Sequence, residues 1–325
     1  MPKIIWRTDV HFGDYTPRRR TGSWTDDVLR KLAWVGDKAR EVGADAVLDG
    51  GDFFDVKSPT KNSHSLVRQA CEVHKAHYAC PVYALVGNHD VKYGNISYLP
   101  HQPLGVLFSS GIFQQFGDTS EVVLENDGVR VRIIGVPYHG AEYDFERLSS
   151  LRKREGDDYL FVACHLLARQ GDTGTMFEGE DIIGYNFLEG ITDVDVWFFG
   201  HWHKDQGVKK LDNGGLVVNV GSLTRGALHL DDLDRNPCVV EVSATKEGIS
   251  YVRHDVPVRP SQEVFKIDEA VREKEAQGRM DEIVEKMKKV ASESRNGATL
   301  LDRVREMQVP QEVKEQVISY LEENL

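Results

Sequence analysis

The sequence has no apolar run approaching the roughly 20 residues that cross a bilayer. Its first residues, Met1-Pro2-Lys3-Ile4-Ile5, enter a strand-like run directly rather than a secretory leader, so no membrane association and a cytoplasmic location are expected. Cysteine is scarce: Cys71, Cys80, Cys164 and Cys238 among 325 residues, with no C-x-x-C pair. That argues against a disulfide framework or a zinc ribbon and for reduced thiols, mostly in the core. A basic coat is missing as well. With 40 Lys and Arg against 52 Asp and Glu the net charge is −12, which argues against a generally basic coat for nucleic acid, although cations held in an acidic site would reverse the sign locally, so a phosphate-bearing substrate stays open. Repeats and low-complexity tracts are absent. What remains, 40% hydrophobic and 28% charged residues, is the composition of a globular protein of one large domain or two ordinary ones.

What is present is a series of short apolar runs, each ending in residues able to bind a cation or move a proton. The first, Ile4-Ile5-Trp6-Arg7-Thr8, ends in Asp9-Val10-His11-Phe12-Gly13. Asp9 and His11 are two apart, so on extended backbone both side chains point to one side and can chelate one metal. A D-x-H triplet is common by chance; its place at a strand end gives it weight. Arg18, Arg19 and Arg20 follow in a polar loop, either a solvated charge run or, being so near Asp9 and His11, contacts for substrate phosphates. From Trp24 the spacing of Val28, Leu32, Val35, Ala39 and Val42 predicts a helix stopped at Gly43. Ala46-Val47-Leu48 predicts a strand running into Asp49-Gly50-Gly51-Asp52, where paired glycines let the Asp52 carboxylate reach a cation from close to the backbone. A helix over residues 62–77 and a strand over Val82–Val86 lead to Gly87-Asn88-His89-Asp90. There Asn88 offers a neutral amide oxygen, His89 a group that titrates near neutrality, and Asp90 a carboxylate to hold the His89 ring in one tautomer. Alternating strands and helices are the α/β signature.

The second half is richer in strands. Val122–Leu124, Val129–Val136, Leu160–Cys164 (into His165), Asp195–Phe199 (into Gly200-His201-Trp202-His203) and Leu216–Val220 (into Gly221-Ser222) are predicted, with two more near Val239 and Ile249. From Ser261 the chain turns into a charged helical tail, whose 11 basic and 15 acidic residues carry −4 of the total charge. Met280, Ile283, Val284, Met287, Val290 and Ala291 form one apolar stripe there, Leu300, Leu301, Val304 and Met307 a second, and Val313, Val317, Tyr320 and Leu321 a third after Pro310. In an open α/β sheet, loops at the carboxyl ends of strands converge on one edge. Five of the twelve histidines, with two aspartates and an asparagine, fall at such ends, a grouping that chance does not readily produce.

D-x-H, G-D, G-N-H-D, a lone strand-end His and G-H-x-H, in that order over residues 3–222, resemble the calcineurin-like metallophosphoesterase superfamily. Gly51-Asp52-Phe53-Phe54-Asp55 with Ser58-Pro59 further resembles the G-D-x-F-D…P segment of SbcD-type DNA exonucleases, and Gly221-Ser222-Leu223 is similar to their region after the last motif. The resemblance implies an α/β fold, a two-sheet sandwich flanked by helices over residues 1–222, then a small, abbreviated β-rich segment over 223–260 that completes the sheet, and a helical arm over 261–325. It implies that Asp9, His11, Asp52 and His203 hold one divalent cation and Asp52, Asn88, His165 and His201 another, with His89 and Asp90 catalytic. Mixed imidazole, carboxylate and amide ligands suit Mn²⁺, with Fe²⁺, Zn²⁺ or Mg²⁺ as alternatives, and Asp52 has two oxygens with which to bridge cations about 3.5–4 Å apart. The implied substrate is a DNA end, with Arg18, Arg19 and Arg20 on its phosphates. The implied partner of the arm is an SMC-like, SbcC-type ATPase or a second copy of the chain. The competing readings are a small-molecule phosphodiesterase or phosphatase of the same fold, and a non-catalytic scaffold.

Overall fold

Strands that are apolar at nearly every position must be covered on both faces, and the chain meets this demand by stacking two six-stranded sheets. The computed structural model describes residues 1–92, 95–118, 120–176, 179–228, 233–292, 304–305 and 311–324. Strand β1 (Lys3–Arg7) leads through helix α1 (Trp24–Val42) to β2 (Ala46–Asp49), and α2 (His64–His77) leads to β3 (Val82–Ala84). Helix α3 (Pro103–Ser109) precedes the two-residue β4 (Gln114–Gln115). These four strands are parallel neighbours. The second sheet begins with the hairpin of β5 (Val122–Asn126) and β6 (Val129–Val136), followed by α4 (Phe145–Ser149) and β7 (Tyr159–His165). A three-stranded excursion comes next: β8 (Ala168–Arg169), β9 (Gly174–Met176) and β10 (Glu180–Gly184). After α5 (Tyr185–Glu189) the chain adds β11 (Val196–Gly200), β12 (Gly207–Lys210) and β13 (Leu216–Asn219). It then returns to the first sheet as β14 (Cys238–Thr245) and β15 (Gly248–Asp255). The sheet orders are β15-β14-β1-β2-β3-β4 and β12-β13-β11-β7-β6-β5.

Alternation assigns each strand residue to a layer. Ile4 and Trp6 face the second sheet, where they share a buried cluster with Phe161, Phe198 and Val218, while Ile5 turns to α1 and α2. Trp197 and Phe199 turn the other way, onto the layer of α4 and α5. Trp6 and Phe198 meet at 5.0 Å between ring centroids, a pairing that adds about 0.5–1.5 kcal/mol to the area buried. Helix α1 ends where its sequence predicts, at Gly43, which closes it in the left-handed region at φ 66°; at its start the Ser23 side chain accepts from the Asp26 amide. The predicted α/β sandwich is therefore the architecture found, and residues 238–255 complete the first sheet by antiparallel pairing of β14 with β1. Sequence periodicity did not reveal β4, β8, β9, β10 or β12, which are short and lack apolar runs.

Two compact units divide the chain at Phe265 and Lys266, later than the expected start of the arm at Ser261. Residues 261–265 belong to the first unit because Thr21 N donates to the Val264 carbonyl at 2.9 Å and the Arg20 guanidinium lies 5.2 Å from the Phe265 ring centroid. Helix α6 (Ser261–Val264) is part of that attachment. The second unit contains α7 (Ile267–Ser292) and α8 (Gln311–Asn324). Val284, Val304 and Val317 are buried together there, with Met280, Val313, Ile318 and Tyr320 packed against them, so the predicted stripes face one another. The side chains of Ile283, Met287, Val290, Ala291 and Leu321, and residues Leu300, Leu301, Met307 and Pro310, lie outside what is described. All four cysteines are free, Cys164 and Cys238 buried, Cys71 and Cys80 only partly so.

Under the carboxyl end of the first sheet lies a buried ion pair. Arg7 Nε donates to Asp49 Oδ2 at 2.7 Å, with both side chains 0% exposed. Burial and the Arg7 charge hold the His74 imidazole well below its ordinary pKa, so His74 is neutral; it donates from Nδ1 to the Ala70 carbonyl at 2.7 Å and accepts from Arg7 Nη2 at 2.9 Å. Asp49 Oδ1 accepts from the Gly51 amide at 3.1 Å, which anchors the turn carrying Asp52. Arg7→Met should cost about 3–5 kcal/mol, because it strands a buried carboxylate, and Arg7→Met with Asp49→Leu should recover more than half of that loss. Urea unfolding of the three proteins checks this; a single-variant loss under about 1 kcal/mol would mean the pair is dispensable.

Candidate metal centre

Five strand ends converge, three from the first sheet and two from the second. β1 delivers Asp9 and His11, β2 delivers Asp52, β3 delivers Asn88 and His89, β7 ends in His165, and β11 delivers His201 and His203. The backbone at this convergence is strained. Asp9, His11, Asp52 and His201 have φ of 52°, 49°, 53° and 87°, left-handed values that cost of order 1–3 kcal/mol each in a non-glycine residue. Bonds between the two turns hold them there: Asp9 N donates to the Gly51 carbonyl at 3.1 Å, His11 N to the Asp52 carbonyl at 3.0 Å, and Phe12 N to the Phe53 carbonyl at 2.8 Å. Gly87 allows the closest approach. A Cβ at that position would lie 2.1 Å from Asp52 Oδ1, so only glycine lets the third strand end pass the Asp52 carboxylate.

The ligand-type atoms form overlapping clusters. Asp9, His11 and His203 form one, Asp52, His165 and His201 another, and His11, Asp52 and His89 a third, each with its atoms within 4.8 Å of one another. His203 Nε2 lies 3.6 Å from Asp9 Oδ1 and 2.9 Å from His11 Nε2, which is 3.9 Å from Asp52 Oδ2. His165 Nε2 lies 3.3 Å from Asp52 Oδ2 and 3.1 Å from Asn88 Oδ1. Asp52 is thus the carboxylate between the two sets.

The chemistry of these donors fits divalent cations. Asp9 and Asp52 are 0% and 1% exposed, and among the described residues their ion-pair partners are all histidines. The inward nitrogens of His11 and His165 face carboxylates, while their outward Nδ1 atoms are held by the protein: His11 by Asp55 Oδ1 at 3.0 Å and His165 by the Gly50 carbonyl at 2.6 Å. An outward N–H held in this way presents the inner lone pair to a metal. Burial alone would lower the His165 pKa, but the facing Asp52 charge and hydrogen bonds push it up to about 10. Asp52 shows the converse: burial would raise its carboxyl, yet His165 and His11 hold it well below the usual carboxylate range. The site therefore attracts positive charge strongly, whether protons or cations.

Two expectations are corrected by the geometry. Asp90 does not orient His89. Its Oδ2 accepts from the Asp52 and Gly87 amides at 2.8 and 2.9 Å, bracing the turn beneath Asp52, and burial with the nearby Asp52 charge pushes its carboxyl up to about 8. The His89 ring is held instead by the Asp55 carbonyl, 2.6 Å from Nδ1, and the His89 amide donates to Asp52 Oδ1 at 2.7 Å. Arg20 is not available to phosphates. It is 4% exposed, pairs with Asp27 at 2.9 Å, donates to the Arg225 carbonyl at 2.6 Å and stacks between Trp24 and Phe265. Arg18 and Arg19 do reach the site, lining a cavity of about 430 Å³ with Tyr15, Trp24, His11, His89 and His203. Sequence reasoning missed Asp55, although it stands in the quoted G-D-x-F-D segment, and Glu180, which carries no local signal; Glu180 Oε1 lies 3.0 Å from His201 Nε2.

A family model described as calcineurin-like phosphoesterase matches residues 2–205. Among solved structures, a putative 5′-nucleotidase from Staphylococcus aureus, in complex with α-ketoglutarate, is similar with a TM-score of 0.55 and 18% identity, over 84% of this chain and 57% of that one. The chain thus spans little more than half the length of that nucleotidase. A dimetal phosphatase from Danio rerio is similar with a TM-score of 0.51 and 11% identity, over 79% of this chain and 99% of that one. At these identities the likeness is one of fold. No curated protein matches the sequence.

Because Asp52 stands between both clusters, Asp52→Asn should weaken two cation sites together, and Gly87→Ala should do so indirectly by displacing the Asp52 carboxylate. A loss of at least about tenfold in affinity at each site is expected. Calorimetric titration of metal-stripped protein with MnCl₂ checks this, and two sites retained at full affinity in Asp52→Asn would rule out a shared carboxylate.

Proposed function

The chain belongs to the calcineurin-like phosphoesterase family, and from that membership we propose that it is a two-metal phosphodiester hydrolase acting on DNA ends, as the SbcD-type exonucleases do. Asp9, His11, Asp52 and His203 would hold one cation and Asp52, Asn88, His165 and His201 the other. Two such cations supply Lewis acidity: they make hydroxide accessible at neutral pH and offset the negative charge of the phosphoryl group. The remaining chemistry belongs to the protein. His89 donates its Nδ1 proton to the Asp55 carbonyl at 2.6 Å, which leaves Nε2 to serve the substrate. The step starts from His89 protonated at both nitrogens: as a water oxygen bonds to phosphorus and the ester P–O bond breaks, the leaving oxygen takes the Nε2 proton, while the water's own proton passes to solvent, from which the ring is afterwards reprotonated. No covalent intermediate with the enzyme is required.

The observation that carries the substrate is the placement of Arg18 and Arg19. In a chain of net charge −12, both line the cavity that opens at His11, His89 and His203, where they can contact phosphates flanking the scissile one. Lys57 adds a further cation nearby, its Nζ 3.2 Å from the Asn88 carbonyl. Tyr15, 47% exposed on the same wall, offers a face on which a base can stack. A second reading, hydrolysis of a small phosphoester, is favoured by the cavity's size, since about 430 Å³ falls in the range of small-molecule pockets, and by the likeness in fold to a 5′-nucleotidase. A non-catalytic scaffold would leave the convergence of eight ligand-type and acid–base side chains without a purpose.

His89→Ala should retain both Mn²⁺ ions and lose at least about a hundredfold in turnover; loss of the metals instead would make His89 a ligand. Arg18→Ala with Arg19→Ala should flatten the salt dependence of DNA binding by about two units of log–log slope. The same double variant should lower kcat/KM on a labelled DNA end at least tenfold more than on bis-p-nitrophenyl phosphate. Equal losses on the two substrates would select the small-molecule reading.

A further inference from the structure

Glu180 lies at the start of β10, outside every motif that composes the metal centre, yet its carboxylate faces it. Oε1 is 3.0 Å from His201 Nε2 and 2.8 Å from the Tyr143 hydroxyl, which donates to it. The same hydroxyl accepts from the Leu167 amide at 2.9 Å. Leu167 is two residues beyond His165, so one hydrogen-bonded chain joins the loop of His165 to the ring of His201. The register of this chain is fixed from both sides: Tyr143 N donates to Asp181 Oδ2 at 2.9 Å, and Asp181 N donates to the Ala141 carbonyl at 2.8 Å. With side chains 13% exposed on both partners, the Glu180–His201 contact is shielded from competing water.

The geometry points to Glu180 as the positioning residue of the second cation site: by accepting a hydrogen bond from His201 Nε2–H it fixes the tautomer and rotation of that ring, leaving the Nδ1 lone pair for the cation that His201 would share with Asp52 and His165. This rests on the two-metal reading of the site. Like His11, His201 has its backbone held at positive φ, here 87°, and its amide is tied to Asp9 Oδ1 at 3.1 Å, so the ring cannot be re-aimed by the main chain. A carboxylate behind a ligating imidazole raises its basicity and orients it, and its removal commonly costs 10–100-fold in metal affinity. Tyr143 contributes by holding the carboxylate that holds the ring.

Two measurements on the full chain test this. In calorimetric titration with MnCl₂, Glu180→Ala should weaken one of two sites by 10–100-fold and leave the other within about threefold, with Glu180→Asp recovering part of the loss and Tyr143→Phe weakening the same site by a smaller factor. In metal-free protein labelled with ¹⁵N-histidine, the His201 signal, assigned by its disappearance in His201→Gln, should report the Nε2–H tautomer in the wild type and a mixture in Glu180→Ala. Unchanged affinity at both sites, joint loss of both, or an unaltered tautomer would overturn the assignment. Should Glu180→Ala fail to fold, Glu180→Gln and Tyr143→Phe decide by the same two readouts. A wild type that binds fewer than two Mn²⁺ would count against the two-metal reading instead, and the tautomer measurement would still judge Glu180.

Discussion

Everything in this molecule that bears on chemistry is arranged around one buried carboxylate. Asp52 cannot be hydrated, since it is 1% exposed, so each of its polar groups must find a partner in the protein or in a bound cation. Its amide goes to Asp90, its carbonyl receives the His11 amide, Oδ1 receives the His89 amide, and Oδ2 faces His165 and His11. Those partners come from β1, β3 and β7, so the carboxylate can be satisfied only if both sheets are docked. The Arg7–Asp49 pair beneath serves the same end, fixing the Gly51 amide and through it the turn from which Asp52 projects. The candidate metal centre and the core of the first sheet are thus one mechanical unit.

Strain is the cost of that convergence. Four of the ligand-type residues sit in left-handed backbone conformations, and the turns bearing Asp9 and Asp52 hold each other by three backbone hydrogen bonds. Asp9 and His11 are brought to the common centre by a left-handed turn rather than by the alternation of an extended strand that their spacing suggests. Convergence therefore costs local stability, and the cost is met by the surrounding hydrogen bonds and the two-sided core.

Much of this was legible in the sequence because it is local. Apolar runs ending in Asp9, Asp52, Asn88, His165 and His201 announce strand ends, and strand ends in an α/β fold share an edge, so the grouping followed without any knowledge of distances. The errors have an equally physical origin. Adjacency in sequence suggests that Asp90 serves His89, but a carboxylate three residues beyond Gly87 folds back onto the Gly87 and Asp52 amides, while the His89 ring finds the carbonyl of Asp55 across the site. In sequence Arg20 reads like Arg18 and Arg19, since charge runs look alike; nothing local reveals that Asp27, on the next helix, takes one of the three inward. Glu180 left no trace, since its strand is short and its partners Tyr143 and His201 are far away along the chain. Tertiary satisfaction of polar groups is the layer that periodicity and motif spacing do not encode.

The separation of the ligands along the chain has a consequence for the protein while it is being made. His11 and His203 touch across 192 positions, so a growing chain displays Asp9, His11, Asp52 and Asn88 long before His165, His201 and His203 exist. At translation rates of about 5–20 residues per second, the interval from Asn88 to His203 lasts roughly 6–23 s. Throughout it the ribosome carries a site that lacks one or more of the imidazoles of the second sheet. The proposed hydrolase of phosphoesters would be born among the phosphodiesters of messenger and ribosomal RNA, and this fold withholds the closing side chains until most of the domain has emerged and the two sheets can stack.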